Sequence, residues 1–302
     1  MTIDRMKMTR RRFLGASAAV GAGWLCTPSL AAAPTATDPN RFVLLADTHI
    51  WEKRDQIYRN VKPADNFIQF RSEILAFQPR PAGAIFVGDL VYIQGHSADY
   101  AVLVELLRPM REAGIPLHFA LGNHDDRANF WAALPDAKPA GKPPVPDKHV
   151  TIVSAPLANW FLLDSLEKTN STPGILGEAQ LQWLAKELDA RPDKPALVAA
   201  HHPHDPMGTR QGLKDTAPLF DVLAPRKQVK AYLFAHTHRW EVARYRGIHM
   251  INLPATAWLF DAKQPQGWLD VRLRGDGMTL VLSTLDKKHK SHGQKVDLTW
   301  RT

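Results

Sequence analysis

The chain has 302 residues, 45% of them hydrophobic and nine of them Trp, an ordinary globular composition able to bury one large core. Lys and Arg outnumber Asp and Glu by 38 to 30, a formal +8, but Arg5, Lys7, Arg10, Arg11 and Arg12 stand against Asp4 alone and account for half of that excess. The remainder suits a phosphate-bearing substrate and by itself makes no case for nucleic acid. A lone Cys26 excludes a disulfide framework.

Residues 1–31 read as an export signal: basic through Arg12, apolar from Phe13 to Leu25, then small residues around Ala31, after which cleavage is expected. The apolar run is too short to span a bilayer comfortably, so no stable membrane insertion is expected after cleavage; an uncleaved N-terminal anchor is the alternative. Thr9-Arg10-Arg11-Arg12-Phe13-Leu14 resembles the twin-arginine signal motif. That resemblance implies the twin-arginine export machinery as a partner and a periplasmic or otherwise exported, soluble mature protein. A short leader (32–40) then precedes one domain (41–302).

From Asn40 onward short apolar runs alternate with amphipathic stretches, the pattern of an α/β protein with helices covering a largely buried sheet. Strands are expected at 41–46, 84–87 and 116–121, with helices at 63–77 and 97–111 between them. Residues 135–147, dense in proline, read as a loop. Strands at 149–153 and 160–163, a helix at 178–188, and buried strands at 196–200 and 231–235 follow. The stretches 241–245, 249–253, 268–273 and 278–283 alternate as an antiparallel set, with Gly275-Asp276-Gly277 as a hairpin turn. Residues 287–292 read as a solvated charged segment.

Five of the buried strands end in polar clusters: Asp47-Thr48-His49, Gly88-Asp89, Gly122-Asn123-His124-Asp125, His201-His202-Pro203 and His236-Thr237-His238. In an open, mostly parallel sheet the carboxyl ends share one edge, where ligands bind. Residues i and i+2 of an extended chain point the same way, so Asp47 with His49, and His236 with His238, can each reach one small volume. Gly88 and Gly122 remove bulk where the chain turns beside the site. Singly, each residue is readable as a cap, a turn or a satisfied buried histidine; metal chemistry is carried by their joint occurrence. Asp47, His49, Asp89, Asn123, His201, His236 and His238 are too many for one tetrahedral zinc and suit two ions about 3.5–4 Å apart sharing a carboxylate. Nitrogen and oxygen donors without thiolate point to divalent or mixed-valence Fe, Mn or Zn.

The ordered set Asp-x-His, Gly-Asp, Gly-Asn-His-Asp, His-x-Pro and His-x-His resembles the calcineurin-like metallophosphoesterase family over residues 42–253. The resemblance implies an α/β-β-α sandwich of two mixed sheets flanked by helices. It also implies that Asp47, His49 and His238 hold one metal, that Asn123, His201 and His236 hold the other, and that Asp89 bridges them. His202 is left to support or structure, and Ala235 departs from the glycine many members carry there. The implied reaction is in-line attack on phosphorus by a hydroxide held between the metals, with His124 stabilising or protonating the leaving oxygen.

The function expected is therefore an exported phosphohydrolase acting on a small phosphoester, with a phosphodiesterase of the bacterial cyclic-nucleotide type leading. A phosphomonoesterase with the same centre is the alternative, and a non-catalytic binding module of the same fold is the alternative of another class. Arg127, one helical turn past His124, and His204 are expected to touch substrate, with His96 and Arg210 as further candidates. Trp51 and Trp240 either line the pocket or pack its rim. Asp125 either turns the chain or orients His124.

Overall fold

The computed structural model describes residues 36–139 and 141–302, so the expected signal segment lies outside the described residues. The apolar runs that precede the polar clusters form strands because both of their faces are covered. In chain order the first half contains β1 (Thr37–Leu45), α1 (Pro63–Leu75), β2 (Arg80–Val87), α2 (Ser97–Glu112), β3 (Leu117–Ala120) and the short α3 (Arg127–Ala133). Then come β4 (Thr151–Ser154), β5 (Asn159–Leu162), α4 (Glu178–Asp189), β6 (Ala196–Ala199), α5 (Thr216–Leu223), β7 (Val229–Phe234), β8 (Glu241–Tyr245) and β9 (Ile248–Asn252). The chain finishes with β10 (Gly267–Arg274), β11 (Gly277–Thr284) and β12 (Lys295–Thr299).

These strands build two six-stranded sheets, ordered β12-β11-β10-β1-β2-β3 and β4-β5-β6-β7-β9-β8. In the first, β1, β2 and β3 run parallel, with Leu44 opposite Ile85 and Phe86 opposite Phe119. In the second, β5, β6, β7 and β9 run parallel, with antiparallel edges β4 and β8. The sheets face each other through an apolar layer that includes Phe42, Leu44, Trp160, Leu197, Leu233 and Leu280. Each fully buried side chain of this size contributes roughly 1.5–3 kcal/mol. Phe67, Phe70 and Ile74 of α1 and Leu103 and Leu107 of α2 cover the outer face of the first sheet, while Leu184 and Leu188 of α4 and Leu219 and Phe220 of α5 cover the second. The expected α/β-β-α sandwich is thus the observed architecture.

Several sequence expectations are corrected. β1 begins at Thr37, inside the expected leader, because Thr37 and Asp38 pair with Arg80 and Pro81. The stretches 241–245, 249–253, 268–273 and 278–283 do not form one antiparallel set: β9 lies parallel to β7 in the second sheet, while β10 and β11 complete the first. Helix α5 and strand β12 lie outside the expected elements, whereas α3 is the helix expected after Asp125. Residues 287–292 are largely exposed, as the solvated reading expects, and are tethered as well, with Lys287 Nζ 2.6 Å from Glu73 and His292 Nδ1 accepting from Thr284 N at 3.2 Å. Among the described residues no helix is long and apolar enough to cross a membrane.

Candidate metal centre and active-site pocket

The loops after β1 and β2 remain in register beyond the strands, Asp47 N donating to Gly88 O at 3.1 Å and His49 N to Asp89 O at 3.0 Å. From there the backbone leaves the extended region. Asp47, His49, Asp89, His236 and His238 have φ of 51°, 43°, 49°, 68° and 53°. Asp47 and His49 therefore do reach one volume, through left-handed residues and not through the extended geometry expected, whereas His236 and His238, expected to share a volume, turn into two different clusters. Each such residue costs about 1–3 kcal/mol that surrounding contacts must offset. The two glycines act as expected: a Cβ on Gly122 would lie 2.2 Å from Asp89 Oδ1, and one on Gly88 would lie 2.5 Å from the His201 ring.

Two donor clusters result, Asp47, His49 and His238 in one and Asp89, His201 and His236 in the other, each with its donor atoms within 4.8 Å of one another. His238 Nε2 lies 3.4 Å from Asp47 Oδ1 and 3.3 Å from His49 Nε2, and His201 Nε2 lies 3.2 Å from Asp89 Oδ2. His49 Nε2 is 3.8 Å from Asp89 Oδ2, so Asp89 stands between the clusters. Each cluster draws on both sheets, the first through the ends of β1 and β7, the second through those of β2, β6 and β7.

The donor chemistry fits metal ions. His201 Nδ1 donates to Val87 O at 2.9 Å and His238 Nδ1 to Trp258 O at 2.6 Å, which turns each Nε2 lone pair toward a carboxylate. Both carboxylate oxygens of Asp47, Oδ1 of Asn123 and Nε2 of His201 are buried without a hydrogen-bond partner. Acceptors facing acceptors in a water-poor site cost roughly 1–3 kcal/mol apiece unless a cation lies between them. Burial drives His49 down to about 3, and burial with the neighbouring His201 drives His236 to about 4. Burial would depress His201 as well, but Asp89, followed by Asp47, outweighs it and lifts the ring to about 9. A cation at that point competes with the His201 proton.

His124 sits between this cluster and solvent, its side chain 22% exposed and its Nε2 4.0 Å from Asp89 Oδ2. Its Nδ1 donates to Ile93 O at 2.9 Å, and its backbone N–H donates to Asp89 Oδ1 at 2.8 Å. Asp125 turns the chain and leaves His124 alone: its carboxylate accepts from Gly122 N at 2.8 Å, Leu90 N at 3.1 Å and Tyr100 Oη at 3.0 Å. Burial, then Asp89, raises it to about 7 against those donors. The next residue, Asp126, caps α3 through Asn129 N at 2.9 Å.

His49, Asp89, His124, His236 and His238 line a cavity of about 180 Å³, with Tyr58, Arg59, Ile93, Asn170, Trp258 and Phe260 as its remaining wall. A larger, shallower groove of about 530 Å³ runs beside Trp240 and holds none of the donor groups. The sequence pattern of the calcineurin-like phosphoesterase family matches residues 40–240. The chain belongs to that family.

This metallophosphoesterase, a hydrolase of phosphoester bonds, is 30% identical over 258 residues to a probable cyclic nucleotide phosphodiesterase of Rhodococcus erythropolis, covering 80% of each chain. It is also 30% identical to a cAMP/cGMP dual specificity phosphodiesterase of Mycobacterium tuberculosis, covering 80% of this chain and 75% of that one. The fold of a dimetal phosphatase from Danio rerio superposes with a TM-score of 0.62 at 17% identity, over 89% of this chain and all of that one.

Within the phosphoesterase, six of the seven expected ligands fall into the two donor clusters, the seventh, Asn123, is buried with its Oδ1 unpartnered beside His124, and neither residue expected to touch substrate lines the cavity. The Arg127 guanidinium clasps the fully buried Asp164, Nε to Oδ2 at 2.7 Å and Nη2 to Oδ1 at 2.9 Å, because a carboxylate without water needs a paired cation. His204 packs among Phe220, Phe234 and Tyr245 on the outer face of the second sheet, where burial lowers its pKa. His96 precedes α2 as its capping position, and Arg210 is exposed on a turn. His202 backs the site: Ser165 Oγ lies 2.8 Å from its Nδ1, and its ring centre 5.0 Å from that of His236. Trp51 stacks on Tyr92 at 4.3 Å, outside the cavity wall.

Of the cavity residues that sequence reasoning missed, Trp258 and Phe260 come from a sixth strand end, while Tyr58, Arg59, Ile93 and Asn170 lie on loops elsewhere in the chain. Because β9 is parallel to β7, its C-terminal end delivers the following segment to the same edge. Trp258 on that segment stacks on His49 at 4.0 Å and 20°, while its carbonyl holds His238. Tyr58 meets Trp258 edge-on at 4.7 Å. The available signal was Ala255-Thr256-Ala257-Trp258, small residues and an indole directly after a buried strand.

Proposed function

We propose that the protein hydrolyses phosphodiesters of the cyclic-nucleotide class at a dinuclear metal centre. The observation that carries the reading is the convergence of five strand ends from two sheets. It leaves polar atoms of Asp47, Asn123 and His201 buried without a hydrogen-bond partner, while His49, Asp89, His236 and His238 line a cavity that His124 also lines. Asp47, His49 and His238 would hold one ion, Asn123, His201 and His236 the other, with Asp89 between them. Bound there, the ions supply charge neutralisation for phosphate oxygens and activation of the attacking water. The chain's own residues orient the reaction: Val87 O and Trp258 O fix two ligand tautomers, Gly88 and Gly122 admit the ligands, and His124 offers Nε2 to the leaving oxygen. The names of the relatives at 30% identity favour a cyclic diester over a monoester as substrate.

Elemental analysis of purified protein, run beside hydrolysis of cyclic nucleotides, glycerophosphodiesters and simple monoesters, tests this. About two metals per chain are expected, with diester activity abolished in Asp89→Ala and Asn123→Ala. Protein that stays folded, metal-free and inert after Mn, Fe or Zn is added would overturn it and leave a binding module. Export through the twin-arginine route, with removal of residues 1–31, is part of the same proposal. N-terminal sequencing of protein from the periplasm should read from Ala32, and an intact Met1 would reject it.

A further inference from the structure

We propose that Phe260, framed by Tyr58 and Arg59, is the platform on which the base of a nucleotide substrate stacks, and so the specificity-determining residue of the pocket. Exposed large hydrophobic side chains are few among the described residues, namely Ile57, Met207 and Phe260, and of these only Phe260, 60% exposed, lines the cavity. One part of its ring rests on ligand His238, with ring centres 4.4 Å apart, so whatever stacks on Phe260 is held at a fixed offset from the metal cluster. The Arg59 guanidinium carbon lies 5.2 Å from the Phe260 ring centre and 5.5 Å from that of Tyr58. The mouth therefore presents two aromatic rings and a planar cation, all of which take flat π-systems.

Size makes the assignment more specific. Sites that enclose a drug-sized molecule measure about 300–1,000 Å³, and this cavity of about 180 Å³ is smaller. A phosphate and its sugar fit against the ligands; the base has to remain at the mouth, where Phe260 offers apolar area. A phenyl face reads no hydrogen-bonding pattern, so adenine and guanine should be accepted alike. The inference rests on the phosphodiesterase reading for its choice of substrate, and the experiment separates the two.

The full chain, reconstituted with Mn²⁺, is assayed on 3′,5′-cyclic AMP and on the base-free 1-O-methyl-ribose 3,5-cyclic phosphate, as wild type, Phe260→Ala and Phe260→Trp. The wild type should favour cyclic AMP. Phe260→Ala should raise its KM roughly 5- to 150-fold, the worth of one base stacked on an aromatic ring. It should leave kcat, metal content and the base-free substrate within about twofold, and Phe260→Trp should retain the preference. Equal losses on both substrates, or loss of metal, would mean that Phe260 acts only by bracing His238, and would overturn the platform. If the wild type cleaves neither diester, equilibrium binding of AMP against ribose 5-phosphate gives the answer. A base-dependent gain that vanishes in Phe260→Ala upholds the platform while the diester reading falls; no such gain rejects the platform itself.

Discussion

His124 holds its Nδ1 proton on the Ile93 carbonyl and lines the cavity with its Nε2 4.0 Å from Asp89 Oδ2, the geometry on which its proposed service to the leaving oxygen rests. His124→Ala should therefore keep its full metal complement, measured by elemental analysis, and lose roughly 10²- to 10⁴-fold in kcat on alkyl diesters. The loss should shrink on p-nitrophenyl esters, whose leaving group needs no proton; equal losses on both would remove the acid role. Arg127 teaches the complementary lesson. From sequence it shares a helical turn with His124, yet a buried Asp164 far along the chain claims its guanidinium. Spacing along a helix gives direction but cannot reveal a carboxylate that needs neutralising.

The loops after β2 and β3 are fastened by one carboxylate. Asp125 accepts from backbone N–H groups of both, and Tyr100 of α2 donates to it while accepting from Asp126 N at 3.0 Å. Tyr100→Phe removes that hydroxyl from a fully buried position and should lower unfolding stability by roughly 1–3 kcal/mol in urea titrations, with the metal content unchanged; an unaltered midpoint would deny Asp125 its bracing role. At this scale most of the site was legible, because each buried apolar run ends where its polar cluster begins and parallel strands send those ends to one edge. β9 was not. Its alternation with β8 reads as a hairpin, which it is, but nothing local reveals that β9 also pairs in parallel with β7 and carries Trp258 and Phe260 to the centre. Helix α5 and strand β12 escaped for a related reason, since a short element is fixed by the surface it covers more than by its own pattern.

Across the whole molecule, one pH response should come from a group outside the donor clusters. His149 is fully buried, with Trp131 Nε1 donating to its Nδ1 at 3.3 Å, and burial depresses it from 6.5 to about 4. Between those values the unfolded chain binds the proton and the folded chain does not, so stability falls as pH drops below about 6.5 and continues to fall toward pH 4. His149→Asn, which keeps an acceptor for Trp131 and does not titrate, should flatten the loss between pH 7 and pH 5 by on the order of 2 kcal/mol; parallel pH profiles would exclude the assignment. Chelation at constant pH should lower the melting temperature, by the equivalent of about 4 kcal/mol for an ion present at a thousand times its dissociation constant. The ligands explain why the whole fold should respond, for each cluster joins residues of the first sheet to residues that follow β6 or β7 in the second. No N-terminal fragment that stops before His201 possesses a complete site, and the first cluster waits for His238. A metal that uses these clusters would therefore load after assembly. A chain that crosses a membrane folded takes along the ion selected where it was made, and a chain that crosses unfolded takes the ion it meets on arrival. An ion held at these clusters would then record the compartment in which the two sheets closed.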